Sequence, residues 1–169
     1  MNKAVMISIR PEWCEKIASG EKTIEVRKTR PKLATPFMAY IYCSRGRDAR
    51  RLRGSWGKVI GEFTCTKLDW ITRVGFSGCY IPSRYSICDP KNMSALPIDD
   101  LLHAARLSYM ELADYLAGGN GYGWHISDLR IYDTPKELSE FTGLRDTKFG
   151  AAPHEIKRPP QSWYYVEEM

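Results

Sequence analysis

The stretch SGEKTIEVRKTRP, Ser19 to Pro31, sets Glu21, Lys22, Glu25, Arg27, Lys28 and Arg30 between a glycine suited to ending a helix and a proline suited to ending a strand. From Thr23 to Arg27 the residues alternate. Ile24 and Val26 fall on one face, and Thr23, Glu25 and Arg27 on the other, which is the period of a strand with one apolar side. Glu25 and Arg27 therefore share a side, with Lys22 at the strand's entry. Such a segment fits a cross-strand ion-pair ladder. It equally fits the wall of a cleft, because a lysine, a carboxylate and a guanidinium together can grip a ligand's polar edge and its phosphate, or hold a proton-transfer pair.

Immediately upstream, AVMISI (Ala4 to Ile9) is a short, β-branched run that reads as a buried strand. PEWCEKIASG (Pro11 to Gly20) reads as a helix. Pro11 suits its first position, Glu12 and Glu15 its positive end, Trp13 and Ile17 one face, and Gly20 its end. Downstream, PFMAYIYC (Pro36 to Cys43) and KVIGEFTCTKLDWI (Lys58 to Ile71) read as strands joined by a long hairpin tip. Residues 73–97 are irregular and rich in Gly, Pro, Ser and Asn, as expected of a surface insertion. PIDDLLHAARL and SYMELADYLAGG then read as helices, the second opened by a capping-box pair, Ser108 and Glu111. GYGWHISDLRIY and RPPQSWYYVEE supply two more strands, separated by TPKELSEF and a loose stretch. About six strands and three helices, joined mostly by loops, predict one α+β domain over residues 1–169, a small mixed β-barrel with helices at its openings.

Composition narrows the class. With 43% hydrophobic and 27% charged residues in 169, the chain is that of a globular protein able to bury a core. The apolar run before Arg10 is shorter than a signal-peptide core and far shorter than a membrane span, so a cytoplasmic protein without a membrane partner is expected. Cys14, Cys43, Cys65, Cys79 and Cys88 are widely spaced, and neither they nor the three histidines show metal-ligand spacing. No metal and no cofactor are expected. The glycine-rich GGNGYG follows a helix and precedes a strand, the reverse of a dinucleotide fingerprint.

The formal charge of +5 is a local feature. The segment from Arg45 to Lys58 carries a net +5 by itself, which leaves the rest of the chain balanced. An arginine-rich tip with Arg47, Arg50, Arg51 and Arg53 suits the phosphate backbone of RNA or another single strand, or serves only to keep a loop solvated.

The run ISIRPEWCEKIASGEKTIEVRK, followed by GKVIGEF, resembles the ASCH domain family of the PUA-like superfamily, whose hallmark is a G-x-K-x-x-E-x-R segment after the first helix. Here that segment is Gly20, Lys22, Glu25 and Arg27. WHISDLRIY and RPPQSWYYVEE look like the end of the longer, often phage- or prophage-borne members, and residues 72–107 are least covered. The resemblance implies a cleft beside the first helix and a relation to RNA-binding and modified-base-reading domains. It also implies a possible hydrolase of N4-acetylcytidine built on a lysine, a threonine and a glutamate. Lys22 matches the lysine, Glu25 stands at the threonine position, and Ala105 lies near the glutamate position, with Glu111 six residues later. A ribonuclease activity is also associated with the family.

The candidate ligand-binding set is therefore Arg10, Trp13, Lys22, Glu25, Arg27, Arg47, Arg50, Arg51, Arg53, Trp124, His125, Ser127 and Trp163. Trp13, Trp124 and Trp163 are candidates for stacking on a base, and His125 and Ser127, on one strand face, for hydrogen bonds to its edge. Lys22 and Glu25 would be the catalytic pair if the protein is an enzyme. The expected partner is RNA, another single-stranded nucleic acid or a modified nucleoside. A protein-binding adaptor is the remaining class.

Overall fold

A computed structural model describes residues 2–46, 55–74 and 84–169. The first strand, β1 (Lys3–Ile9), is buried on both faces, with Val5, Ile7 and Ile9 in one core and Ala4 and Met6 in another. Two-sided burial explains why this run is continuously apolar. Helix α1 (Pro11–Ala18) starts at Pro11 and buries Cys14 and Ile17. The chain leaves it through Gly20 at φ +80, a left-handed conformation that a Cβ would penalise. Strand β2 (Ile24–Arg27) follows.

The remaining elements are β3 (Phe37–Cys43), β4 (Lys58–Val74), β5 (Arg84–Cys88), β6 (Ala95–Leu96), α2 (Asp99–Ala105), α3 (Tyr109–Leu116), β7 (Gly121–Lys136), β8 (Thr142–Thr147), β9 (Gly150–Glu155) and β10 (Trp163–Glu167). They form one mixed sheet in the order β2-β7-β4-β3-β1-β10-β8-β9, with β5 and β6 added beside β4. β1 and β3 are parallel and their connection carries α1 and β2; the other pairings are antiparallel. Among the described residues no helix is long and apolar enough to cross a membrane.

The expected α+β class with three helices is present, but the barrel needs correction, because the sheet is open. Its path ends at β2 on one side and β9 on the other. A helix occupies the place where a closing strand would pair: α2 lies against β2, and the Thr23 amide donates to the Ala104 carbonyl at 2.9 Å. Four strands exceed the six expected. β5 and β6 lie within the expected insertion, whose residues 75–83 fall outside those described, and β8 and β9 form a hairpin in the stretch expected to be loose. β6 and β9 are mostly exposed and held by main-chain pairing, whereas β5 buries Tyr85 and Cys88 and β8 buries Leu144.

The capping box of α3 forms as its residues imply: Ser108 Oγ accepts from the Glu111 amide, and the Glu111 carboxylate accepts from the Ser108 amide. The long strands β4 and β7 run together through several register shifts, which bend both and let one pair of strands serve two cores. Gly61 on β4 lies opposite Ile41 on β3 and Ile131 on β7. A Cβ there would stand 2.5 Å from the Arg130 carbonyl oxygen. Main chain cannot yield as a side chain does, so Gly61→Ala should destabilise the fold by about 1–3 kcal/mol, seen as a lower urea midpoint with an unchanged slope.

Candidate functional site

The charged strand is placed by main-chain bonds before its side chains act. After Gly20, the Lys22 amide donates to the Lys16 carbonyl of α1, and Thr23 is tied to α2. β2 then pairs with β7, setting Glu25 opposite Trp124 and Arg27 opposite Tyr122. This fixes the side on which Lys22, Glu25 and Arg27 meet. All three are buried, with Lys22 only 3% exposed.

Glu25 is the centre of the group. Its Oε2 lies 3.2 Å from Lys22 Nζ and its Oε1 2.9 Å from Arg27 Nη2. Lys22 Nζ also donates to the Ala105 carbonyl at 2.7 Å and lies 4.9 Å from the centre of the Trp13 ring. Arg27 donates to the Ser8 carbonyl at 2.6 Å and more weakly to Ser162 Oγ, and its Nε is buried without a partner among the described residues. Burial lowers the Lys22 ammonium from its ordinary value, against the Glu25 carboxylate, which supports the charged form. A buried cation–carboxylate–cation group is a poor device for stability alone, since well-packed apolar residues of similar size often serve as well or better. Its position in a cavity wall suits it to a ligand.

That cavity is a cleft of about 990 Å³ between α1, β2, α3 and the segment leading into β10. Arg10, Trp13, Lys22, Glu25 and Arg27 line it together, joined by Arg45. The four arginines Arg47, Arg50, Arg51 and Arg53 lie outside the described residues, but Arg45 and Gly57, on either side of them, both line the cleft. Glu111, in the opposite wall, is committed to capping α3, and the Ser108 amide and hydroxyl hold its carboxyl below the usual carboxylate value.

The other candidates stand elsewhere. Trp124 is fully buried, edge-on to Phe37 at 5.6 Å. Trp163 covers it at 6.2 Å and donates from Nε1 to Thr29 Oγ1. Neither ring lines the cleft, and Trp13 already holds the ammonium groups of Lys16 and Lys22 over its ring. Tyr115, which its place in the sequence did not single out, is exposed in the wall and carries the Lys28 ammonium over its ring at 5.1 Å. His125 and Ser127 engage β4 instead: His125 Nε2 is 2.6 Å from Asp69 Oδ2, and Ser127 Oγ is 3.1 Å from Thr66 Oγ1. Burial works to raise the Asp69 carboxyl, but hydrogen bonds from His125 and Lys67 outweigh it and hold the group below its ordinary value. A lone aspartate within the apolar β4 run was the available signal for this dyad. Among the described residues no three His, Cys, Asp or Glu side chains are grouped to hold a metal.

An open mixed sheet flanked by helices, with a charged cleft beside the first helix, defines an α+β protein. Solved structures of the ASCH protein from Zymomonas mobilis share this fold. One, a tyrosine-to-phenylalanine variant, is 19% identical with a TM-score of 0.54, over 99% of this chain and 92% of that one. Another, the ASCH protein itself, is 19% identical with a TM-score of 0.54, over 98% and 88%. No protein-family model matches the sequence, and no curated protein matches it. The chain has the ASCH fold.

Two outcomes follow from the charged group. Glu25→Ala leaves two buried cations facing each other and should cost about 3–5 kcal/mol of stability, whereas Lys22→Met leaves the Glu25–Arg27 pair intact and should cost clearly less, both by urea unfolding. Between the lowered Lys22 value and the ordinary 10.5, the unfolded chain holds a proton that the folded protein has released, so stability rises with pH across that window. Lys22→Met should remove this rise.

Proposed function

We propose that the cleft binds a single-stranded nucleic acid, RNA or a strand carrying a modified base, and reads one base with Lys22, Glu25 and Arg27. The observation that carries this reading is the buried carboxylate held between two cations in the cleft wall. A carboxylate has about four lone-pair sites, so Glu25 can still accept from the N–H groups of a base edge while bound to Lys22 and Arg27. Arg10 and Arg45 add donors for carbonyl or phosphate oxygens, and Lys28, over the Tyr115 ring at 5.1 Å, adds a further cation beside the wall. A volume of about 990 Å³ is enough for a nucleotide, since small-ligand sites run to about 1,000 Å³.

A second reading is an amidohydrolase acting on a modified nucleoside such as N4-acetylcytidine. The lowered Lys22 ammonium beside a carboxylate at 3.2 Å favours it, because a proton-transfer pair needs both proximity and a shifted value. Against it, Ala105 supplies only its main-chain carbonyl near the position where the family's glutamate stands. Nothing in the described residues marks a dedicated ribonuclease centre.

Equilibrium binding of fluorescent single strands and turnover of N4-acetylcytidine separate these readings. For a binding site, Lys22→Met and Glu25→Gln should each weaken affinity about 10- to 150-fold, the equivalent of roughly 1.5–3 kcal/mol for a hydrogen bond to a charged group, with no product formed. Multiple-turnover deacetylation by the wild type, abolished in Lys22→Met, would replace binding by hydrolysis. Replacing Arg47, Arg50, Arg51 and Arg53 together should flatten the log–log salt dependence by about 0.7 for each phosphate that the tip neutralises in the wild type. An unchanged slope would assign the tip to solubility alone.

A further inference from the structure

A second cleft, of about 940 Å³, opens three residues further along the same segment: Arg27 lines the first and Arg30 the second. The two are neighbours across the β2–β7 ladder, where Arg27 pairs with Tyr122 and Tyr122 lines the second cleft. The second is built from the β2–β3 connection, the middle of β4 and the β5–β6 turn.

Its charges are unevenly matched. The Asp69 carboxylate is paired on both oxygens, with Oδ1 2.8 Å from Lys67 Nζ and Oδ2 2.6 Å from His125 Nε2. The Asp89 carboxylate closes the turn by accepting from the Lys91 amide at 2.9 Å. Arg30 and Lys91 are exposed, and among the described residues no ion pair takes either. Arg30 lies over the Tyr122 ring, 5.8 Å from its centre, with Trp70 in the same wall. Cations free of carboxylate partners beside aromatic faces are what a phosphodiester backbone with stacked bases requires, and what a neutral small molecule does not.

We infer that the second cleft holds the backbone of the same strand whose base occupies the first, so that the ligand is an oligonucleotide and not a free nucleoside. The spacing sets its length. Arg27 to Arg30 spans at most about 10 Å of extended chain, or about three stacked nucleotides at ~3.4 Å each. From Glu25 to Arg30 the span is at most about 17 Å, or about five such steps, so a strand of about six nucleotides would reach from one to the other. The inference rests on the nucleic-acid reading of the first cleft.

The test is fluorescence anisotropy with 3′-labelled, random-sequence RNA of two, four, six and eight nucleotides, against wild type and the double variant Arg30→Ala with Lys91→Ala. Both residues are exposed, and an unchanged thermal midpoint checks the fold. Affinity should rise at least about tenfold between two and six nucleotides in the wild type. In the double variant the rise should fall below about threefold while dinucleotide affinity is kept, and the salt slope for the longer strands should drop by about 1.4 for two phosphates no longer neutralised. Dinucleotide binding without a length step, or a step that persists in the double variant, would overturn the second cleft and leave the first. No binding at any length would overturn both.

Discussion

The structure turns on one carboxylate. Among the described residues Glu25 is the single anion placed between the buried Lys22 and Arg27, and without it two cations would face each other with little exposure to water. Removing a charge from water costs several kcal/mol, and only close pairing with filled hydrogen bonds offsets that cost. The surroundings supply those bonds from main chain. Lys22 finds the carbonyl of Ala105, Arg27 that of Ser8, and the helix, strand and sheet edge that carry them must all be in place together.

The geometry that allows this is set by β4 and β7. Their register shifts bend the pair, so that its apolar side chains feed the core beneath α1 and the core beneath α2 and α3. At one edge β7 receives β2, which carries the charged group; further along, β4 contributes Asp69 and Lys67 to the second cleft. The two clefts are thus opposite uses of one bent ladder. The sheet stays open because a helix, not a strand, lies against β2.

The sidedness of the charged strand was legible from alternation alone, because a strand's period of two leaves Glu25 and Arg27 no choice but to share a face. β1, β2, β3, β4, β7, β10 and the three helices were legible for the same kind of reason, from period and caps. What could not be read were partners made of main chain: nothing in the side chains of Ser8 or Ala105 announces that their carbonyls receive a guanidinium and an ammonium. The pairing of His125 with Asp69, 56 residues apart, was hidden by distance along the chain. Trp124 was misleading because a tryptophan next to a polar motif looks the same whether it packs inward or lines a cleft. β8 and β9 lack an apolar face, so only their ladder defines them.

The end of α2 holds a further meaning. Lys22 reaches across 83 residues to the carbonyl of Ala105, Thr23 pairs with Ala104, and Arg106, in a left-handed conformation at φ 57, donates from Nε to the carbonyl of Glu21. The carbonyl end of a helix carries partial negative charge and favours a nearby cation. The end of α2 thus holds the Lys22 ammonium from behind, through a carbonyl that lies outside the charged strand. A shift of one helical end by a fraction of an ångström would retune the lysine while every residue of the charged strand stayed the same.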